Sequence, residues 1–291
     1  IIAGNNLSKR FKLLSYFEGD GILIKNSILT LEHKSSGEPF MSAAVRISSE
    51  YLNRLTSGVY QKPDYSMNFP AKLITTKLTW SDLILPMEVQ EEIENIITWI
   101  KNSKVILEDW GLDKVIKPGY RSLFYGPPGT GKTLTASLIG SIVGADVYRI
   151  DLSMVVSKYI GETEKNLANV FDQAQSKNWI LFFDEADALF GKRTQASSSN
   201  DRYANQEISY LLQRVEDFPG VVILASNIKA NIDEAFSRRF QSIVYFPTPD
   251  NEHRLLLWKR ILGNTQNLSL DISLEKLAED YELSGGAMTN V

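Results

Sequence analysis

Gly126-Pro-Pro-Gly-Thr-Gly-Lys-Thr133 follows the apolar run Ser122-Leu-Phe-Tyr125 and precedes Leu134-Thr-Ala-Ser-Leu-Ile-Gly-Ser-Ile-Val143, whose apolar residues recur at helical spacing. A strand, a glycine-rich loop and a helix in this order make a cradle for phosphate. Glycines let backbone N–H groups close in on the β- and γ-phosphates, the positive end of the following helix faces the anion, and Lys132 adds a full charge. Thr133 offers a hydroxyl ligand for Mg²⁺. Pro127, Pro128, Gly129, Thr130, Gly131, Lys132 and Thr133 are therefore candidate nucleotide contacts.

Outward from this loop, long helical patterns alternate from Thr79 onward with short apolar runs, which predicts a parallel sheet covered on both faces. The runs Ser122–Tyr125, Asp146–Ile150, Trp179–Phe183 and Val221–Ala225 are rich in β-branched and aromatic residues, as doubly covered strands are, and Ser242–Phe246 is a fifth. Between them, Glu88 to Lys101 carries Val89, Ile93, Ile96, Ile97 and Ile100 at helical spacing, a stripe expected to face the core. Trp179-Ile-Leu-Phe-Phe183 ends in Asp184-Glu185, so two carboxylates emerge at the carboxyl edge of the sheet, where open α/β sheets bind ligands. Asp184 suits Mg²⁺ and Glu185 suits polarising a water toward the γ-phosphate. Asn227, at the end of Val221-Val-Ile-Leu-Ala-Ser-Asn227, is either a turn former or a second group on that water. Arg238 and Arg239, just before the last strand, would neutralise transition-state charge if they reach a phosphate.

Residues 1–77 differ in texture and read as a small α+β docking or adaptor domain with a helix over Met41–Leu55; 78–249 read as the α/β unit and 250–291 as a small helical lid. Lys+Arg 31 against Asp+Glu 35 gives a net charge of -4, which offers no global attraction to nucleic acid or an anionic membrane. With no Cys, disulfides and thiolate metal sites are excluded, and with only His33 and His253 a histidine metal site is disfavoured. The lack of Cys is compatible with a reducing cytosol, and a cytoplasmic protein with no membrane partner is expected; no 18-residue apolar span occurs. The chain opens at Ile1 without Met and stops at Val291 within a helical pattern, so it reads as a fragment.

Taken in order, Gly126–Thr133, Asp184-Glu185, Asn227 and Arg238-Arg239 resemble Walker A, Walker B, sensor 1 and the arginine fingers of the AAA+ ATPases. Thr79-Trp-Ser-Asp-Leu-Ile-Leu-Pro86 is similar to the stretch that lies along adenine in that family, which implies backbone contacts from Asp82 and Ile84. Ser284-Gly-Gly-Ala287 resembles its sensor 2 region and implies lid contacts from Gly285, Gly286 and Ala287. Lys158-Tyr-Ile-Gly-Glu162 resembles pore loop 1 of the protein-remodelling AAA branch, where Tyr159 and Ile160 would grip an extended polypeptide; Ala196–Arg202 would fall near pore loop 2. The resemblance covers roughly residues 79–291. It implies a P-loop NTPase fold with a helical lid, ATP and Mg²⁺ as cofactors, ATP hydrolysis, a homo-oligomeric ring of six, and a polypeptide substrate. Asp217-Phe218 resembles the turn that signals between subunits.

Two features depart from the family. Ile261 stands where many members place a His near the ribose, and His253 reads as a solvated residue at a helix start. The lid also stops short at Val291. Among rival readings, Asp184-Glu-Ala-Asp187 spells a helicase tetrapeptide, but that class needs a Ser-Ala-Thr motif where this chain has Ala225-Ser-Asn227. An ATP-held assembly scaffold is disfavoured by the intact Glu185 and both arginines. More narrowly, Lys158–Leu167 and Asp184–Arg193 look similar to ATPases of phage-tail-like contractile injection systems.

Overall fold

A computed structural model describes residues 6–17, 21–25, 28–32, 44–58, 62–66, 69–152, 162–187, 199–227, 237–262 and 273–290. The chain divides into two compact units, Ile1–Asp64 and Tyr65–Val291. In the first, α1 (Leu7–Leu14) and α2 (Ile22–Lys25) precede β1 (Leu29–Glu32), β2 (Ala44–Ile47) and α3 (Ser49–Ser57). The two strands pair antiparallel from Leu29↔Ile47 to Glu32↔Ala44. The helix expected from Met41 is thus wrong over 44–47, where Val45 and Ile47 follow a period of two and find a partner strand; α3 begins only after Ser48.

The second unit holds β3 (Lys72–Ile74), α4 (Met87–Lys104), β4 (Tyr120–Tyr125), α5 (Lys132–Val143), β5 (Val147–Asp151), α6 (Glu162–Lys177), β6 (Ile180–Asp184), α7 (Ser199–Asp217), β7 (Val221–Ser226) and β8 (Ser242–Tyr245). Helices α8 (Asn251–Leu262), α9 (Leu274–Asp280) and α10 (Gly285–Met288) follow. One sheet runs β3-β5-β6-β7-β4-β8, parallel throughout except for β3, which pairs antiparallel with β5. All five expected runs are strands. Strand β3 was not expected, and residues 65–77, grouped by texture with the N-terminal part, supply it. Phe69 and Ala71 are buried with it, and the Phe69 ring meets Tyr148 of β5 edge-on at 5.7 Å.

Alternation along the strands builds a core on each face of the sheet. Leu123, Leu181, Phe183 and Leu224 point into one core with Phe171 and Val170 of α6; Phe124, Ile180, Phe182 and Ile223 point into the other with α4 and α5. Each such side chain contributes about 1.5–3 kcal/mol on burial. The α4 stripe belongs to the second core: Val89, Ile93, Ile96 and Ile97 are buried and Ile100 packs against them.

Arg121, at the start of β4, is buried and caps the end of α7, with Nε on the Val215 carbonyl at 3.1 Å and one Nη on those of Pro118 (3.1 Å), Phe218 (3.2 Å) and Glu216. A guanidinium satisfies orphan carbonyls there and complements the negative end of the helix. Burial pulls its pKa down, opposed by the Glu216 and Asp217 carboxylates. Helices α8–α10 enclose their own small core of Trp258, Ala278 and Met288, against which Ile261 packs. Buried Arg254 ties this lid together through the carbonyls of Ala278 (2.7 Å) and Pro249 (2.9 Å).

Candidate nucleotide site

Sheet order brings the chemistry together, because β7 lies between β4 and β6 and all three run the same way. Their carboxyl ends present, side by side, the loop 126–133, Asn227 and Asp184. Gly131 precedes α5 with φ 100°, a left-handed conformation that a side chain would strain, and Lys132 opens the helix. The Lys132 ammonium is buried and donates to the Gly126 and Pro127 carbonyls at 2.7 and 2.8 Å. Thr130 Oγ donates to Pro127 at 2.8 Å, which closes the loop on itself. Burial pushes Lys132 below the ordinary lysine range, and the carboxylates of Asp184 and Asp187 partly offset this.

At the end of β6, Asp184 accepts from the Glu185 amide at 3.0 Å and lies 3.0 Å from Arg149 Nε of β5. Glu185 is exposed and has φ 53°, a backbone state rare for a non-glycine residue and concentrated at functional turns. Asp187 accepts from the Ser226 hydroxyl and from the Asn227 amide at 3.1 Å. Mg²⁺ keeps several waters and takes one or two protein ligands beside phosphate oxygens. Thr133 and Asp184 make a donor set of that kind. Among the described residues no group of three or more His, Cys, Asp or Glu side chains is arranged to hold a metal without phosphate.

Two further segments border the loop. Leu83 Cδ1 lies 3.7 Å from where a Gly131 Cβ would stand, so the stretch containing Asp82 and the half-buried Ile84 lies beside the loop. The Asp82 carboxylate caps Thr79 (2.6 Å to N) and pairs with Arg260 of α8, while its amide donates to the Thr79 carbonyl at 2.9 Å. From the lid, the Gly286 amide donates to the Gly129 carbonyl at 2.9 Å, with Gly285 and Ala287 in the same short helix.

Residues 122–248 match the family described as "ATPase family associated with various cellular activities (AAA)". The chain carries an AAA ATPase domain. By that membership the domain is an ATP hydrolase of P-loop NTPase fold. The chain is 37% identical over 173 residues to the cell division protein C of Sulfolobus acidocaldarius, an alignment covering 56% of this chain and 46% of that protein. It is 32% identical over 222 residues to the cell division control protein 48 homolog B of Arabidopsis thaliana, covering 72% of this chain and 36% of that protein. The chain thus spans under half the length of these curated relatives. The crystal structure of the FIGL-1 AAA domain in complex with ADP superposes with a TM-score of 0.56 at 27% identity, covering 72% of this chain and 68% of that one.

Not every expected site residue of the AAA domain gathers at this edge. Arg238 and Arg239 are exposed and precede β8, so they stand at the amino edge of the sheet. The Gln241 amide donates to the Arg121 carbonyl at the very start of β4, and at about 3.3 Å per residue the phosphate loop lies roughly 15 Å away. Arg239 pairs with Glu216 of α7 at 2.6 Å. Tyr159 and Ile160 lie outside the described residues, as do residues 196–198. His253 is not simply solvated: its ring lies 2.7 Å from Asp250 and its amide donates to the same carboxylate at 2.8 Å, holding Asp250 below the usual carboxylate range. Sequence reasoning missed Arg149, which nothing in a strand sequence marks, and Asp187, whose only signal was the helicase-like tetrapeptide.

Proposed function

We propose that the chain is a subunit of a homo-oligomeric ring, a hexamer, that couples ATP turnover to remodelling or threading of a polypeptide. ATP binds against residues 127–133, with Asp82 and Ile84 along the adenine and Gly285, Gly286 and Ala287 closing from the lid. Thr133 and Asp184 would hold Mg²⁺, which when bound neutralises charge on the phosphates. Glu185 polarises the attacking water and Asn227 orients it. Arg238 and Arg239 serve the neighbouring subunit's nucleotide.

A single observation carries this reading: the two arginines and the phosphate loop occupy opposite edges of one sheet, so within a subunit they do not meet. A trans-acting arginine is worth on the order of 10³–10⁵ in rate, about 4–7 kcal/mol of barrier, so a lone subunit is nearly silent. The remodelling role is supported by relatives such as the proteasome-activating nucleotidase of Methanopyrus kandleri, 35% identical over 179 residues. Tyr159 and Ile160 are assigned to the pore on sequence resemblance, and service of a contractile injection system rests on the same kind of resemblance in 158–167 and 184–193.

The test is steady-state ATP hydrolysis across protein concentration with Glu185→Gln and Tyr159→Ala. Specific activity should rise as subunits assemble; Glu185→Gln should bind ATP without turnover. Tyr159→Ala should hydrolyse ATP yet fail to move a tagged substrate. Concentration-independent activity would remove the shared site, and normal substrate processing by Tyr159→Ala would remove the pore.

A further inference from the structure

We propose that Asp187 is a positioning residue for hydrolysis, fixing the turn that carries Glu185 to the strand end that carries Asn227. It rests on the reading of Glu185 and Asn227 as the groups that address the attacking water. The parallel ladder between β6 and β7 ends at Phe183↔Leu224, before either residue is reached. Beyond it the two chain segments are joined differently. The Ala186 amide donates to the Ala225 carbonyl at 2.8 Å. Asp187 then takes the buried Ser226 hydroxyl and the Asn227 amide, at 3.1 Å to Oδ1 and 3.4 Å to Oδ2.

Glu185 sits between this clamp and Asp184, which accepts its amide at 3.0 Å. Its left-handed backbone, φ 53°, persists only where neighbours on both sides impose it. Asp184, which takes its amide, on one side and the Ala186–Asp187 clamp to Ala225 and Asn227 on the other do so. The Asp187 carboxylate therefore sets the separation between Glu185 and the strand end that carries Asn227. Displacing a reacting group by an ångström costs on the order of 10²-fold in rate.

The experiment measures kcat for ATP and, separately, equilibrium affinity for a fluorescent ATP analogue in Asp187→Ala, Asp187→Asn, Asn227→Ala and the Asp187→Ala/Asn227→Ala double variant of the whole chain. Asp187→Ala should lower kcat on the order of 10- to 100-fold while affinity stays within about threefold. Asp187→Asn keeps an acceptor oxygen and should recover part of the loss. The double variant should be slower than either single one yet lose less than the product of the two losses, because Asp187 acts partly through Asn227 and partly through the Glu185 turn. Losses that multiply, an affinity loss matching the loss of kcat, or an Asn variant as slow as the Ala variant would overturn the proposal. If Asp187→Ala does not fold, Ser226→Ala removes one of its two partners; an unchanged kcat there would overturn the proposal equally. Rapid turnover by Glu185→Gln would instead sink the site reading beneath it, so the two failures are distinguishable.

Discussion

The Gly286 amide donates a hydrogen bond to the Gly129 carbonyl at 2.9 Å, so the lid is tied to the phosphate loop backbone to backbone. Neither residue has a side chain to hold the strands of chain apart. A Cβ on Gly286 would stand 2.9 Å from the Gly129 Cα, and one on Gly129 would strike Ser284 Oγ. The second lid contact joins Arg260 to Asp82, in the stretch that borders the same loop. Together they link the loop to α10 through backbone and the stretch beside it to α8 through one ion pair, two routes by which a change at the phosphates would reach the lid.

Gly286→Ala should therefore weaken ATP binding more than it weakens the fold. Overpacking costs about 1–3 kcal/mol where backbone must move. Titration calorimetry should find ATP affinity down about tenfold, which is about 1.4 kcal/mol. An unaltered affinity would mean that the lid moves away from Gly129 when nucleotide binds.

Lys132 sets a pH dependence with opposite signs for binding and folding. Phosphate needs the ammonium, so ATP affinity should fall as pH rises through a Lys132 pKa held below the ordinary lysine value by burial. Stability of the nucleotide-free chain moves the other way. With the folded pKa below the unfolded one, the unfolded state holds more protons between the two values, and stability rises with pH across that window. Affinity measured above the range where phosphate itself titrates checks the first sign, and urea midpoints over the same range check the second.

Arg121→Met keeps most of the buried volume and removes the cation from the Val215, Glu216 and Phe218 carbonyls. Leaving buried acceptors unpaired costs about 1–3 kcal/mol each, so a loss of at least about 3 kcal/mol is expected. Chemical denaturation should report it as a lower midpoint with an unchanged slope. Because Glu216 holds Arg239 at 2.6 Å, the same variant should lower hydrolysis in the assembled ring beyond its effect on stability.

The placement of residues 126–133 before a helix and of 184–185 at a strand end was legible because both signals are local in sequence. The five core strands were legible because double burial demands long apolar runs. Strand β3 was not, since three residues in an antiparallel edge strand leave no periodic signal. Asp187, Arg121 and Glu216 were hidden for another reason. Their partners, Ser226, Val215 and Arg239, are distant in sequence and meet them only once the sheet forms. Phe69 was hidden likewise, because the Tyr148 ring it packs on lies nearly eighty residues on.

The most direct measurement mixes two variants that are inactive alone, Glu185→Gln and Arg239→Ala, and follows ATP hydrolysis as subunits exchange. If Glu185 from one subunit and Arg239 from its neighbour complete one site, a random equal mixture restores activity at about a quarter of its interfaces. Turnover should then rise toward that fraction of the unmodified ring. A mixture no faster than either variant alone, or an Arg239→Ala chain that hydrolyses ATP normally by itself, would contradict a nucleotide site shared between subunits.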